Sequence, residues 1–158
     1  MANRAHLPAA RPTLGIVALK RLITAAAVFL AGCGSIEQVV KPVAMSNDDS
    51  REICVIENSA VRKNFSEAYA AALSERGFKV RMLPAGASVR ECPLTSTYTA
   101  NWRWDLAMYM AYANIKVYRS GQLEGEALYD ALRPGLTTSK FIDASQKIRE
   151  LTAELFPR

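Results

Sequence analysis

Glu124 and Glu126 stand two residues apart in a stretch of strand-like alternation, so both carboxylates project from one strand face. Paired carboxylates on one face are what glycoside hydrolysis uses, one as acid and the other as base or nucleophile. The same spacing also describes a solvated face whose cross-strand ion pairs carry little energy, and that is the reading adopted. Ser88 and Ser96 are further candidate nucleophiles, with no activating base near either in sequence. The only histidine, His6, lies in an N-terminal stretch that has the layout of a cleaved signal. What remains has no ordinary general base for neutral pH, no Ser–His or Cys–His pair and no His-containing zinc site. The eight glycines are scattered without phosphate-loop spacing. No catalytic residue, cofactor or metal ligand is therefore assigned, and the chain is read as a non-enzyme.

Aromatic side chains are the most unusual feature. Both tryptophans and five of the six tyrosines fall between Tyr98 and Tyr129. On a sheet face such rings are stacking platforms for peptidoglycan sugars or contacts for a partner protein. More often such rings simply pack an ordinary sheet, and that is the reading for the set as a whole. Trp102 and Trp104 alternate with Asn101, Arg103 and Asp105. Further on, Tyr109, Ala111, Ala113, Ile115 and Val117 share one face of an extended run, while Met108, Met110, Tyr112 and Tyr118 fall on the other. A regular strand cannot turn both sets to one core. Trp102, Trp104, Met108, Met110, Tyr112 and Tyr118 thus make up the candidate binding face.

The N-terminus carries Arg4, Arg11, Lys20 and Arg21, then the apolar run Leu22 to Ala31, then small residues, which is the layout of a secretory signal. About ten to twelve apolar residues are too few for a membrane span, which takes roughly 20. Leu30-Ala31-Gly32-Cys33 matches a lipobox at every position, and the segment resembles a bacterial lipoprotein signal. The resemblance implies cleavage between Gly32 and Cys33, a diacylglyceryl group on the Cys33 thiol and acylation of the new amino group. Gly34 follows where an aspartate commonly signals inner-membrane retention, so the resemblance implies an outer-membrane address facing the periplasm. A start at Val17 would give the signal more usual proportions.

Removal of that segment changes the electrostatics. Four of the 20 basic residues precede Cys33 and none of the 15 acidic ones do, leaving a mature charge of +1. A near-neutral chain with dispersed charge has no electrostatic footprint for nucleic acid. With Cys33 committed to lipid, Cys54 and Cys92 remain. An even count in an oxidising compartment favours a disulfide, the alternative being two buried thiols. Closing that loop is worth roughly 4 kcal/mol in the chain-entropy model.

These residues need elements to hold them. Residues 33–50 read as the lipidated N-terminus and a tether, rich in Asn, Asp and Ser at its end; the alternative is that Ile36, Val39, Val40 and Val43 dock on the domain or begin a strand. Residues 51–158 read as a single domain. Glu52–Glu57 is a β-branched strand, and Asn58-Ser59 offers N-cap oxygens. Val61, Phe65, Ala68, Tyr69, Ala72 and Leu73 then form one helical stripe, closed by Gly77. Phe78–Leu83 is a second strand, parallel to the first. After a loop from Pro84 to Pro93 come the Trp strand, the extended run to Arg119, a Ser120-Gly121 hairpin turn and a return strand to Asp130. The run after Trp104 either continues the Trp strand as one bent strand or is a strand of its own. Ser139–Phe156 carries Phe141, Ile148, Leu151 and Leu155 at helical spacing. The order β-α-β-β-β(-β)-α predicts an α+β two-layer sandwich, a mixed sheet with two helices on one face. It is similar to the small sheet-and-helix modules of outer-membrane lipoproteins that assist envelope assembly, a likeness of architecture only.

The expected role is a lipid-anchored, periplasm-facing module that binds an envelope protein or itself. The alternative is a peptidoglycan or glycan binder, or a weak glycan hydrolase, using Trp102, Trp104, Glu124 and Glu126.

Overall fold

The structure is a computed structural model that describes residues 36–46, 51–132 and 138–158. Gly32, Cys33 and the signal segment lie outside the described residues. Six strands form one sheet in the order β1-β6-β5-β4-β2-β3. In chain order these are β1 (Glu37–Lys41), β2 (Glu52–Ile56), β3 (Lys79–Leu83), β4 (Leu94–Asp105), β5 (Ala107–Arg119) and β6 (Gln122–Asp130). The pairs β2–β3 and β2–β4 are parallel; β4–β5, β5–β6 and β6–β1 are antiparallel. Helix α1 (Lys63–Glu75) and helix α2 (Ala144–Leu155) pack against each other on one side of this mixed sheet, the α+β sandwich the sequence predicts.

Helix α1 links β2 to β3 and turns Phe65, Tyr69 and Leu73 into the core, all fully buried. Each such side chain is worth roughly 1.5–3 kcal/mol of burial. Its end is a Schellman motif: Phe78 N–H donates to the Leu73 carbonyl (3.1 Å), Gly77 N–H to that of Ser74 (2.9 Å), and Gly77 takes φ +86°. The expected cap at Asn58-Ser59 is displaced. Asn58 closes a turn ahead of the helix, accepting from Ala60 N–H (3.0 Å) and donating from its amide to the Tyr98 carbonyl (3.0 Å). The second helical stretch also divides. Ser139–Phe141 is a 3-10 turn, and α2 starts afresh after Asp143, whose side chain accepts from Gln146 N–H at 2.9 Å.

The strands bear on three of these readings. The first concerns the tether, where the alternative reading holds. Ile36–Ser46 is docked, and Glu37–Lys41 is an edge strand running antiparallel to β6. Val43 is core, its N–H donating to the Leu155 carbonyl at 2.8 Å. Gly125 makes this fit possible, because a Cβ there would lie 2.5 Å from a Val43 methyl. The second concerns the run after Trp104. Of the two readings, it is a strand of its own, β5, and it folds back on β4 at Leu106 (φ +60°), pairing Asp105 with Ala107. The third concerns Met110. The ladder slips between Asn101 and Trp102, so that Trp102 pairs with Met110 and the alternation on β5 breaks. Tyr109, Met110 and Ala111 are consecutively buried as a result, and Met110 leaves the candidate face for the core at 2% exposure.

Candidate functional site

The β4–β5 register sorts the candidate aromatic residues into three places. Trp102 turns toward α1, where its ring meets Phe65 edge-on at 6.3 Å and lies under the Arg62 guanidinium at 5.3 Å. Such a ring is half-buried packing with one wet edge. Trp104 and Met108 pair across the ribbon at its turn and are 70% and 50% exposed, with Leu106 at the apex 85% exposed. Tyr112 and Tyr118 lie on the sheet face opposite the helices and are half-buried. The six residues therefore do not make one surface: Met110 and Trp102 are packing, two are at a tip and two are on the open face.

That open face is built of cross-strand rows. Thr97, Lys116, Glu126 and Lys41 follow one another across β4, β5, β6 and β1; the next row holds Thr99, Asn114, Leu128 and Val39. Val39 is 53% exposed. No described residue covers these rows except beside β2 and β3. There Cys54, Ile56, Leu83 and Cys92 make a second small cluster under Ala87 and Val89 of the 84–93 loop. Cys54 and Cys92 are joined as a disulfide that pins this loop to β2, with Cα atoms 6.2 Å apart.

Beside the pinned loop the face deepens into a cleft of about 470 Å³. Thr97, Thr99, Tyr112, Asn114 and Lys116 form its floor, and Asn58, Ser59 and Gly86 are among the residues of its wall. The Asn114 amide donates to Glu126 at 2.8 Å, but its carbonyl oxygen is buried with no partner among the described residues. An unpaired buried acceptor costs roughly 1–3 kcal/mol. This feature is invisible in sequence, because it depends on which strand faces which.

The carboxylate pair is otherwise occupied. Glu124 is paired with Arg119, and Glu126 lies 3.7 Å from Lys116 besides accepting from Asn114. Ser96, the buried one of the two candidate serines, shares a 2.8 Å hydrogen bond with the Tyr69 hydroxyl and donates to the Lys116 carbonyl at 3.1 Å. Burial pushes the Tyr69 phenol far above its ordinary range, the Ser96 bond offsetting part of that. Tyr129 is likewise raised, by burial first and then by the charges of Glu150 and Tyr109. At Glu150 burial acts upward, but hydrogen bonds from Lys147 and Gln38 and the Lys147 charge outweigh it and leave the carboxyl below its usual range. This last cluster ties β1 to α2: Gln38 donates to Glu150 and Glu154 at 3.1 Å, and Lys147 donates to Gln38 at 3.1 Å.

The chain matches no family model, and no curated protein sequence matches it. Among the solved structures it is similar to are two PelC dodecamers from Paraburkholderia phytofirmans. The first, a point variant, superposes with a TM-score of 0.51 at 15% identity, covering 76% of this chain and 94% of that one. The second gives 0.49 at 14% identity, covering 77% and 96%. At that identity the likeness is one of fold alone.

Proposed function

We propose that this chain is a non-enzymatic, lipid-anchored module of the bacterial outer membrane that binds a further copy of itself through the open face of its sheet. The observation that carries the reading is the one-sided sandwich: two helices cover one face, while Val39, Leu128, Tyr112 and Tyr118 stand half-buried or exposed on the other. Mixed apolar and polar rows of this kind have the composition of non-obligate interfaces. The dodecameric state of the PelC variant that shares the fold supports self-association here. The lipobox at Leu30-Ala31-Gly32-Cys33 supports the anchor. Anchorage by two or more acyl chains is stable and raises the effective concentration of neighbouring copies.

Radiolabelled palmitate tests the anchor: label is expected on the full chain and absent from Cys33→Ser. A photo-crosslinking residue at Tyr112 in living cells tests the face. A ladder at multiples of the chain mass is expected; a single adduct of another mass replaces self-association with a different envelope protein, and no adduct removes the binding face.

One observation favours a second reading. The cleft beside the disulfide-pinned loop combines Tyr112 with Thr97, Thr99, Lys116 and the unpaired Asn114 carbonyl, the mixture of ring and hydroxyl partners a glycan takes. Co-sedimentation with purified peptidoglycan, lost in Asn114→Ala, would establish it; protein left in the supernatant would remove it.

A further inference from the structure

The β4–β5 ribbon runs well past its neighbours. Strand β4 pairs with β2 only at Thr95 and Ser96, and β5 pairs with β6 only from Tyr112 onward. The arms around Leu106 are thus a two-stranded ribbon without sheet partners among the described residues. A ribbon of that kind is marginal in water and gains nothing by showing apolar side chains at its tip. Yet Trp104, Leu106 and Met108, three of the largest apolar side chains exposed in the described residues, are gathered there. The neighbouring charge is muted, because Asp105 is paired with Lys140, which also lies over the rings of Tyr109 and Phe141 at 5.8 and 5.2 Å. Arg103 beside it is exposed and cationic. Apolar residues with one indole and an adjacent basic group are what a membrane interface accepts.

Direction supplies the second argument. Glu37 opens β1 opposite Asp130, and Asp130 pairs with Tyr112. The chain therefore enters the sheet at the same end from which the ribbon projects. Tyr112 pairs with Asn101, and from Asn101 to Leu106 is five residues, about 16 Å at ~3.3 Å per strand residue. From Glu37 back to Cys33 is four residues, a reach of at most about 14 Å. That span is shorter than the ribbon's own projection, so a bilayer that holds the lipid on Cys33 is one the tip can reach.

We infer that the Trp104–Met108 tip inserts into the interface of the same bilayer that holds the lipid, so that the domain stands on two points with a fixed orientation. The reach argument rests on the anchor proposed above; the exposure of the tip does not.

Trp102→Phe leaves Trp104 as the sole tryptophan. The full chain carrying that change is extracted from membranes and reconstituted into phosphatidylethanolamine–phosphatidylglycerol vesicles, with plain or brominated acyl chains. Brominated lipid is expected to quench Trp104 emission, and Leu106→Asp is expected to abolish the quenching while the protein stays on the vesicle. Vesicle-bound protein with equal emission in both lipids overturns the inference. Intact mass is read on the same sample. Quenching without acyl mass at Cys33 keeps the tip and removes the anchor; neither acyl mass nor quenching removes both.

Discussion

Gly125→Ala is expected to destabilise the fold, although the same exchange in most strands does the opposite. Glycine inside a strand costs roughly 0.5–1 kcal/mol relative to alanine in backbone entropy. Were residues 36–46 a free tether, the new methyl would meet only Leu155 Cδ1, the end of a side chain that can give by a few tenths of an ångström, and the variant would gain up to about that much. In the docked arrangement the added Cβ meets a Val43 methyl at 2.5 Å, and Leu155 Cδ1 and the Lys41 carbonyl at 3.1 Å. The 2.5 Å contact is closer than real Cβ atoms come, so the Val43 side chain must shift within a packed core. Overpacking of this kind costs typically 1–3 kcal/mol. Net of the entropy gain, a loss of about 1–2 kcal/mol is expected.

The control is Val43→Ala, which removes two methyl groups from a fully packed position and costs about 2 kcal/mol alone. In the double variant the methyl added at Gly125 occupies space that the Val43 side chain vacated, and a coupling of about 1–2 kcal/mol opposite in sign to the two single losses is expected. Urea unfolding, followed by tryptophan emission in one Cys33→Ser background with the disulfide intact, reads all four corners of the cycle. A Gly125→Ala variant more stable than its parent, or strictly additive losses, would refute the docking of the N-terminal segment.

Opening the Cys54–Cys92 bridge by Cys54→Ala with Cys92→Ala is expected to cost up to about 4 kcal/mol, read as a fall in urea midpoint; thiol titration of the denatured parent without reductant should find neither cysteine. Asp143→Ala removes the acceptor for Gln146 N–H and is expected to cost about 1 kcal/mol, with α2 fraying visible in amide exchange. The raised phenols of Tyr69 and Tyr129 give an alkaline limit. Their folded pKa lies above the unfolded value near 10, so the stability they contribute is complete below that pH and is lost as pH rises beyond it. Absorbance at 295 nm should therefore show at least two tyrosines ionising only as the fold opens, and Tyr69→Phe should remove part of the alkaline loss. Glu150 behaves oppositely, because its folded pKa is depressed: its contribution is present above the ordinary carboxylate range and fades as pH falls through the folded value, so Glu150→Gln should flatten the acid limb of a stability profile.

Periodicity carried the interior of the fold. The stripe from Phe65 to Leu73 and the parallel strands on either side of it follow from spacing alone, as does the Ser120-Gly121 turn, whose residues take φ +49° and +84°. What sequence left open or did not show has particular causes. Strand β1 is five residues at a sheet edge, with alternate exposed positions including Glu37 and Lys41, and it is held by partners more than 80 residues away. The turn at Leu106 lacks any Gly, Asn or Pro signal, and a leucine at φ +60° is one that no turn rule selects. The slip at Asn101/Trp102 moved Met110 to the core and divided the candidate face. The cleft exists only because distant strands bring Asn58, Thr97 and Asn114 together. One signal was available and decisive: Asp143 three residues before Gln146 is a capping pattern, and it marks where the last helix begins.

The placement of β1 has a mechanical meaning. Its first residue leaves the sheet along the strand axis, and its five residue pairs with β6 lie side by side across that axis. A pull on the chain at Ile36 in that direction loads the whole ladder in shear, all rungs at once, whereas a sideways pull would open them one by one. Gln38, clipped to Glu150 and Glu154 on α2, and Val43, hooked to the Leu155 carbonyl, brace the same strand from the helix layer. The end of the molecule where force would arrive is thus the end built to resist being drawn out.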